Sequence, residues 1–149
     1  MNDMRVIACE YFRQILSIRN TIDVLGASAR KAMEQATKMT TDTDKLNIDR
    51  SSDQRTAEKA AINYAEVAQL LRAKQSELSD LLKEATEIIV QMKNNDHIQL
   101  LTLRYIDDHE WSDVAQIMGF EPEYCRGGLH SKALAEAQTI IDKTINKLQ

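Results

Sequence analysis

A chain of 149 residues with 43% hydrophobic and 28% charged side chains is long enough for one compact domain or two small ones, and its balance is that of a folded protein rather than a disordered one. With only four glycines and one proline among abundant Ala, Leu, Ile, Glu, Gln and Lys, the composition predicts an all-α fold. A net charge of −4 excludes a simple polycationic coat for nucleic acid, and the charge is uneven: residues 1–95 carry 14 basic and 14 acidic side chains, while 96–149 carry 5 and 9.

From Met4 the apolar residues alternate at steps of four and three: Met4, Ala8, Tyr11, Ile15, Ile18, Ile22, Leu25, Ala29, Ala32, Ala36, Met39. This is a coiled-coil seam five heptads long. The pattern breaks down over 40–56, where Thr, Asp and Ser compete locally for backbone hydrogen bonds, so a connecting loop is expected there. Ser51 and Gln54 stand at capping-box spacing before a second seam, which runs Ala57, Ala60, Tyr64, Val67, Leu71, Lys74, Leu78, Leu81, Ala85, Ile88, Met92 and is broken only by Lys74. Two helices of matched length joined by one loop fold back most simply as an antiparallel hairpin over 1–95. The Ala-rich stretches near its loop bury little area, so that end is expected to be the weaker one.

Residues 96–149 read as a second domain. Asn94, Asn95 and Asp96 offer a cap for a short helix, His97 to Ile106, with Ile98, Leu101 and Tyr105 on one face and Asp107 and Asp108 ending it. A second short helix, Trp111 to Met118, turns Trp111, Val114, Ala115 and Met118 inward and stops at Gly119. Pro122 suits the first position of a third helix, whose inward residues are Cys125, Leu129, Ala133, Leu134, Ala137, Ile141, Ile145 and Leu148. Short helix, glycine turn and longer helix is the helix-turn-helix arrangement, in which the second helix of the pair lies in the DNA major groove. Three amphipathic helices also make bundles that bind no DNA, and the pattern alone leaves both readings open.

The stretch LLTLRYIDDHEWSDVAQIMGF with the later LHSKAL resembles the sigma-factor region-4-like helix-turn-helix, and most closely the late-gene transcriptional activators of RinA type from phages of Gram-positive bacteria, with their long N-terminal helical pair. The resemblance implies a sequence-specific DNA-binding transcriptional regulator, acting on late genes in the bacterial host cytoplasm. It makes Trp111, Val114, Ala115, Met118 and Leu129 packing residues. It places Lys132 near a phosphate and sets Arg126 and His130 on the exposed face of the recognition helix, beside Glu123, Tyr124 and Gly127. Double-stranded DNA is the implied partner, with RNA polymerase or another regulator and a second copy of the chain as further ones.

The chain departs from that pattern in two ways. It has one residue more between Gly119 and LHSKAL, placed at Gly127–Gly128 or in the preceding turn, where paired glycines mark a helical irregularity or a close approach of backbone to DNA. It also sets only Arg104, Arg126, Lys132, Lys143 and Lys147 against nine acids, with Glu121, Glu123 and Glu136 expected to repel a duplex.

Other classes find less in the sequence. No nucleophile, base and orienting residue can be named together, the three histidines are scattered, and His109 among Asp107, Asp108 and Glu110 reads as a solvated turn, so neither an enzyme nor a cofactor is expected. Cys9 and Cys125 read as reduced thiols, and the start MNDMRVIACEYF lacks a signal-peptide pattern, which places the chain in the cytoplasm. The alternative function is a protein-interaction module, an adaptor or antagonist of another regulator, that does not touch DNA.

Overall fold

The structure, a computed structural model, describes residues 7–45 and 50–147, with side chains over 7–38 and 54–145. The described residues are almost wholly helical and include no strand. None of their helices is long and apolar enough to cross a membrane.

The first heptad series lies on α1 (Ala8–Lys45) from Ala8 onward, Met4 being outside the described residues, and the second lies on α2 (Arg50–Ile89) as far as Ile88, with Met92 just beyond the helix. Both helices invade the stretch expected as a loop: 40–45 belongs to α1 and 50–56 to α2, while 46–49 lie outside the described residues. Thr, Asp and Ser lower helix stability by only about 0.5 kcal/mol each relative to alanine, too little to stop helices already propagating from either side. Ser51, read as the start of a capping box, falls inside α2.

Three helical segments follow. Asn94 caps α3 (Asn95–Leu101), its Oδ1 accepting from the N–H groups of Asp96 at 2.9 Å and His97 at 3.3 Å. α3 passes into a π-helical turn, Thr102–Ile106, closed by an Asp107 N–H to Thr102 carbonyl bond of 2.9 Å. Asp108 then turns the chain at φ 59°, in the left-handed region that Asp tolerates better than most residues. α4 (Trp111–Met118) ends on Gly119 at φ 76°, whose N–H reaches the Ala115 carbonyl at 2.9 Å. Pro122 opens α5 (Pro122–Tyr124), which continues through a second π-helical turn, Cys125–Leu129, into α6 (His130–Lys147). The irregularity expected at Gly127–Gly128 is this π turn, which inserts one residue into an otherwise α-helical run.

Packing divides the chain into two units, neither of which begins at residue 96. One comprises Ile18–Glu77, the middle of α1 and most of α2. Its most buried side chains are Ile18, Ala29 and Ala32, and the seam positions Ile22, Leu25, Ala57, Ala60, Val67, Leu71 and Lys74 are half-buried, whereas Tyr64 is exposed. Lys74 is tied to Glu77 on its own helix at 3.1 Å. Mostly small side chains are buried here, so little apolar area leaves water.

The other unit joins the start of α1, up to Ser17, with everything from Leu78 onward. The start of α1 lies beside the end of α2, with the Tyr11 hydroxyl donating to the Leu81 carbonyl at 3.1 Å and lying 3.2 Å from Glu84 Oε2. A single core runs through Phe12 and Ile15 of α1, Ala85 and Ile89 of α2, Leu100 and Leu101 of α3, Val114 of α4, and Cys125, Leu129, Ala133 and Ala137 of the last helical run. Phe12 and Leu100 are fully buried although neither falls on the expected faces, because the core face widens where three helices meet rather than two. Each such large side chain contributes about 1.5–3 kcal/mol by leaving water. The boundary expected at 95/96 therefore lies within this unit.

Polar ties fasten the same unit. Gln138 Oε1 accepts from the Ala8 N–H at 2.7 Å, at the first turn of α1 where that donor has no helical partner. Glu136 accepts from the Lys93 N–H at 2.9 Å through one oxygen, and its other oxygen lies 2.9 Å from His97 Nδ1. Partial burial alone would raise the Glu136 carboxyl, but the Lys93 N–H, the His97 ring and the Asn94 N–H outweigh it and hold the group below its ordinary value. Expected to repel a duplex, Glu136 instead spends its charge inside the fold.

Candidate functional site

The turn between α4 and α5 fixes which side chains face water. Gly119 stops α4, the N–H of Phe120 also returns to the Ala115 carbonyl at 3.1 Å, and Pro122 restarts the chain as a helix. Cys125 and Leu129 face inward at four-residue spacing, which leaves Glu123, Tyr124, Arg126, Gly127 and Lys132 exposed. Phe120 and Tyr124 form an edge-to-face pair with ring centroids 5.5 Å apart, both partly exposed. Five of the six residues singled out in the sequence for DNA contact thus stand at the surface of one helical run.

His130 is the exception. Its Nε2 lies 2.7 Å from the Tyr105 hydroxyl, its ring stacks on Tyr105 at 5.9 Å between centroids, and Trp111 meets it edge-on at 4.9 Å. His130 follows directly on the π turn Cys125–Leu129, and its ring packs against Tyr105 and Trp111 rather than standing on the outer face. Burial, seconded by the Arg104 guanidinium, lowers the His130 pKa, so the ring is held neutral. Burial also pushes Tyr105 up to about 12, although Arg104 and Arg13 pull the other way. An uncharged Tyr–His pair results.

Around this pair lies a cavity of about 190 Å³ lined by three arginines, Arg13 from α1, Arg104 from the first π turn and Arg126 from the second, together with Cys9, Leu16 and Trp111. Arg104 is the most constrained of them. Its guanidinium carbon sits 4.9 Å above the Trp111 ring, one terminal nitrogen donates to the His109 carbonyl at 3.0 Å, and its buried Nε has no hydrogen-bond partner. Trp111, expected as a core residue, is only half-buried: one side packs on the core and another lines this cavity. No carboxylate is among the residues that line it.

Arg13 escaped the sequence reading because its closeness to Arg104 and Arg126 depends on how distant parts of the chain pack. Arg104 belongs to the LRY signature, where the sequence marks it only as one of the few basic residues. Both cysteines are free thiols, and burial pushes that of Cys125 up. Among the described residues no group of three or more His, Cys, Asp or Glu could hold a metal ion.

Comparison with family models, curated proteins and solved structures gives no match to this chain.

Proposed function

We propose that this chain is a DNA-binding transcriptional regulator of the phage type its sequence resembles, with an antiparallel hairpin over α1 and α2 and a helix-turn-helix formed by α4, the Gly119 turn and the helical run from Pro122. One observation carries the reading: the run opened by Pro122 exposes Glu123, Tyr124, Arg126, Gly127 and Lys132 directly after a left-handed glycine turn, the geometry in which a recognition helix presents early positions to base edges and later basic ones to phosphates. The charge deficit of residues 96–149 weighs less than its total suggests, since Glu136 is engaged inward and Arg13 of α1 adds a cation to the same unit.

Selection of bound fragments from a random DNA pool by the full chain tests the reading. An enriched sequence whose affinity falls steeply with salt supports it, and no enrichment with or without RNA polymerase overturns it. The alternative, a protein-interaction module, draws on the exposed apolar trio Ile117, Phe120 and Tyr124 around the same turn. That trio would then be the docking patch, and Phe120→Ser would abolish partner capture while leaving DNA retention unaffected.

A further inference from the structure

We infer that the cavity ringed by Arg13, Arg104 and Arg126 is a binding site for a phosphate-type oxyanion. The inference shares Arg126 with the proposed DNA-reading run but rests on the cavity, which also takes Arg13 and Arg104 from outside that run. It begins with a charge imbalance: three guanidinium-bearing side chains line one cavity of about 190 Å³, and no carboxylate lines it with them. Like charges gathered against partly buried walls are unfavourable unless an anion neutralises them, and each guanidinium offers a planar fork of donors suited to phosphate oxygens.

Hydrogen-bond accounting points the same way. Arg104 is fixed by Trp111 beneath it and by the His109 carbonyl, yet its buried Nε has no partner. An unmet buried donor is costly, and native folds seldom leave one without a use. Among the described residues neither Arg13 nor Arg126 forms an ion pair, and Arg13 approaches Cys9 Sγ, a weak acceptor, at 3.5 Å. The walls suit an anion as well. The Tyr105–His130 pair in that wall is uncharged, so it adds no negative charge that would repel an oxyanion.

The backbone explains how the three come together. Arg104 and Arg126 each lie on a π-helical turn, and a π turn widens the helix and redirects the side chains it carries. Two such turns meet at this cavity, and α1 brings Arg13 to them. The phosphate could belong to a small phosphorylated molecule or to a nucleic-acid backbone. Inorganic pyrophosphate is a probe for the shared chemistry, since it carries that group without a base or sugar.

Titration of the full chain with pyrophosphate, followed by calorimetry and by fluorescence of Trp111, the only tryptophan, tests the site. Saturable binding of one pyrophosphate per chain is expected. Arg13→Gln and Arg126→Gln, both at exposed side chains, should each weaken it about tenfold or more with unchanged helical content, as loss of a charge-assisted hydrogen bond predicts. Lys132→Ala, which removes a cation outside the cavity, should leave it unchanged. Absence of saturable binding overturns the inference, and so does equal weakening by Lys132→Ala, which would mean diffuse attraction to surface charge. A competition arm separates the sources. If Arg13→Gln, outside the proposed reading run, also weakens the competing short duplex, the site holds a backbone phosphate; if duplex binding is unchanged, it holds a free phosphorylated ligand.

Discussion

The Tyr105 hydroxyl and His130 Nε2, 2.7 Å apart, join the helix that begins at Asn95 to the one that begins at Pro122. Both members are neutral because burial disfavours their charged forms, so the bond is sensitive to acid. A folded-state pKa lowered for His130 means that the unfolded chain binds its proton first. The associated stability is therefore present above the ordinary value of 6.5 and is lost as pH falls from there through the folded value. Thermal melts between pH 7.5 and 5.5 should show Tm falling, and a proton-resonance titration of His130 should give a midpoint below 6.5. A midpoint above that value would contradict the buried, neutral ring. Tyr105→Phe should cost about 0.5–1.5 kcal/mol at neutral pH.

Glu136 adds a second acid-sensitive term in a lower range. Its carboxyl is held below the ordinary 4.5 despite the opposing effect of burial, so its contribution is present above that pH and disappears as pH falls through the folded value. Glu136→Gln should flatten the fall in Tm below pH 4.5 and leave the step assigned to His130 intact.

Phe12 shows where a heptad reading runs out. The seam predicts Tyr11 inward and says nothing of its neighbour, yet Phe12 is fully buried with its ring centroid 5.0 Å from that of Tyr105. Periodicity records a face that packs on one partner helix; it carries no sign of a third element arriving from far along the chain. The isolated fragment 96–149 would lack Phe12, Ile15, Ala85 and Ile89, so it should not fold as a stable domain. Circular dichroism on that fragment checks this. In the full chain Phe12→Ala should cost about 3–5 kcal/mol, and a loss below 1 kcal/mol would mean the helix start is not part of this core.

Local features were legible for local reasons. Asn94, Gly119 and Pro122 act through chemistry contained within a few residues, and each does what its type predicts. His130 packs on Tyr105 and Trp111, partners supplied by distant parts of the chain that helical spacing does not record, and no residue in Thr102–Ile106 signals the π turn there. Gly127–Gly128 did signal an irregularity. Both glycines have negative φ; a Cβ at Gly127 would meet nothing within 4 Å, and one at Gly128 would rest 3.8 Å from the Tyr124 ring. Gly127→Ala should therefore stabilise the chain by about 0.5–1 kcal/mol, since alanine has less freedom to lose. A destabilised variant would show that the π turn needs glycine.

The proposed DNA contacts divide into two kinds, and the structure sharpens how to separate them. Arg126 is exposed and early in the helical run, as a base reader must be, while Lys132 is exposed two residues beyond the inward-facing His130. A bidentate arginine contact to guanine is worth about 1–3 kcal/mol of discrimination, so Arg126→Ala should lose preference for the selected sequence while retaining weak binding to any duplex. Lys132→Ala should weaken binding to all sequences alike and lower the slope of log affinity against log salt by about one unit. His130→Gln should change affinity only in proportion to lost stability, because its ring is engaged with Tyr105 and Trp111 instead of facing outward. Fluorescence anisotropy at four salt concentrations with the three variants distinguishes these outcomes. Loss of sequence preference on changing His130, with Arg126→Ala unaffected, would mean that the helix meets DNA through its other face and that the exposed run from Glu123 to Lys132 is not the reading surface.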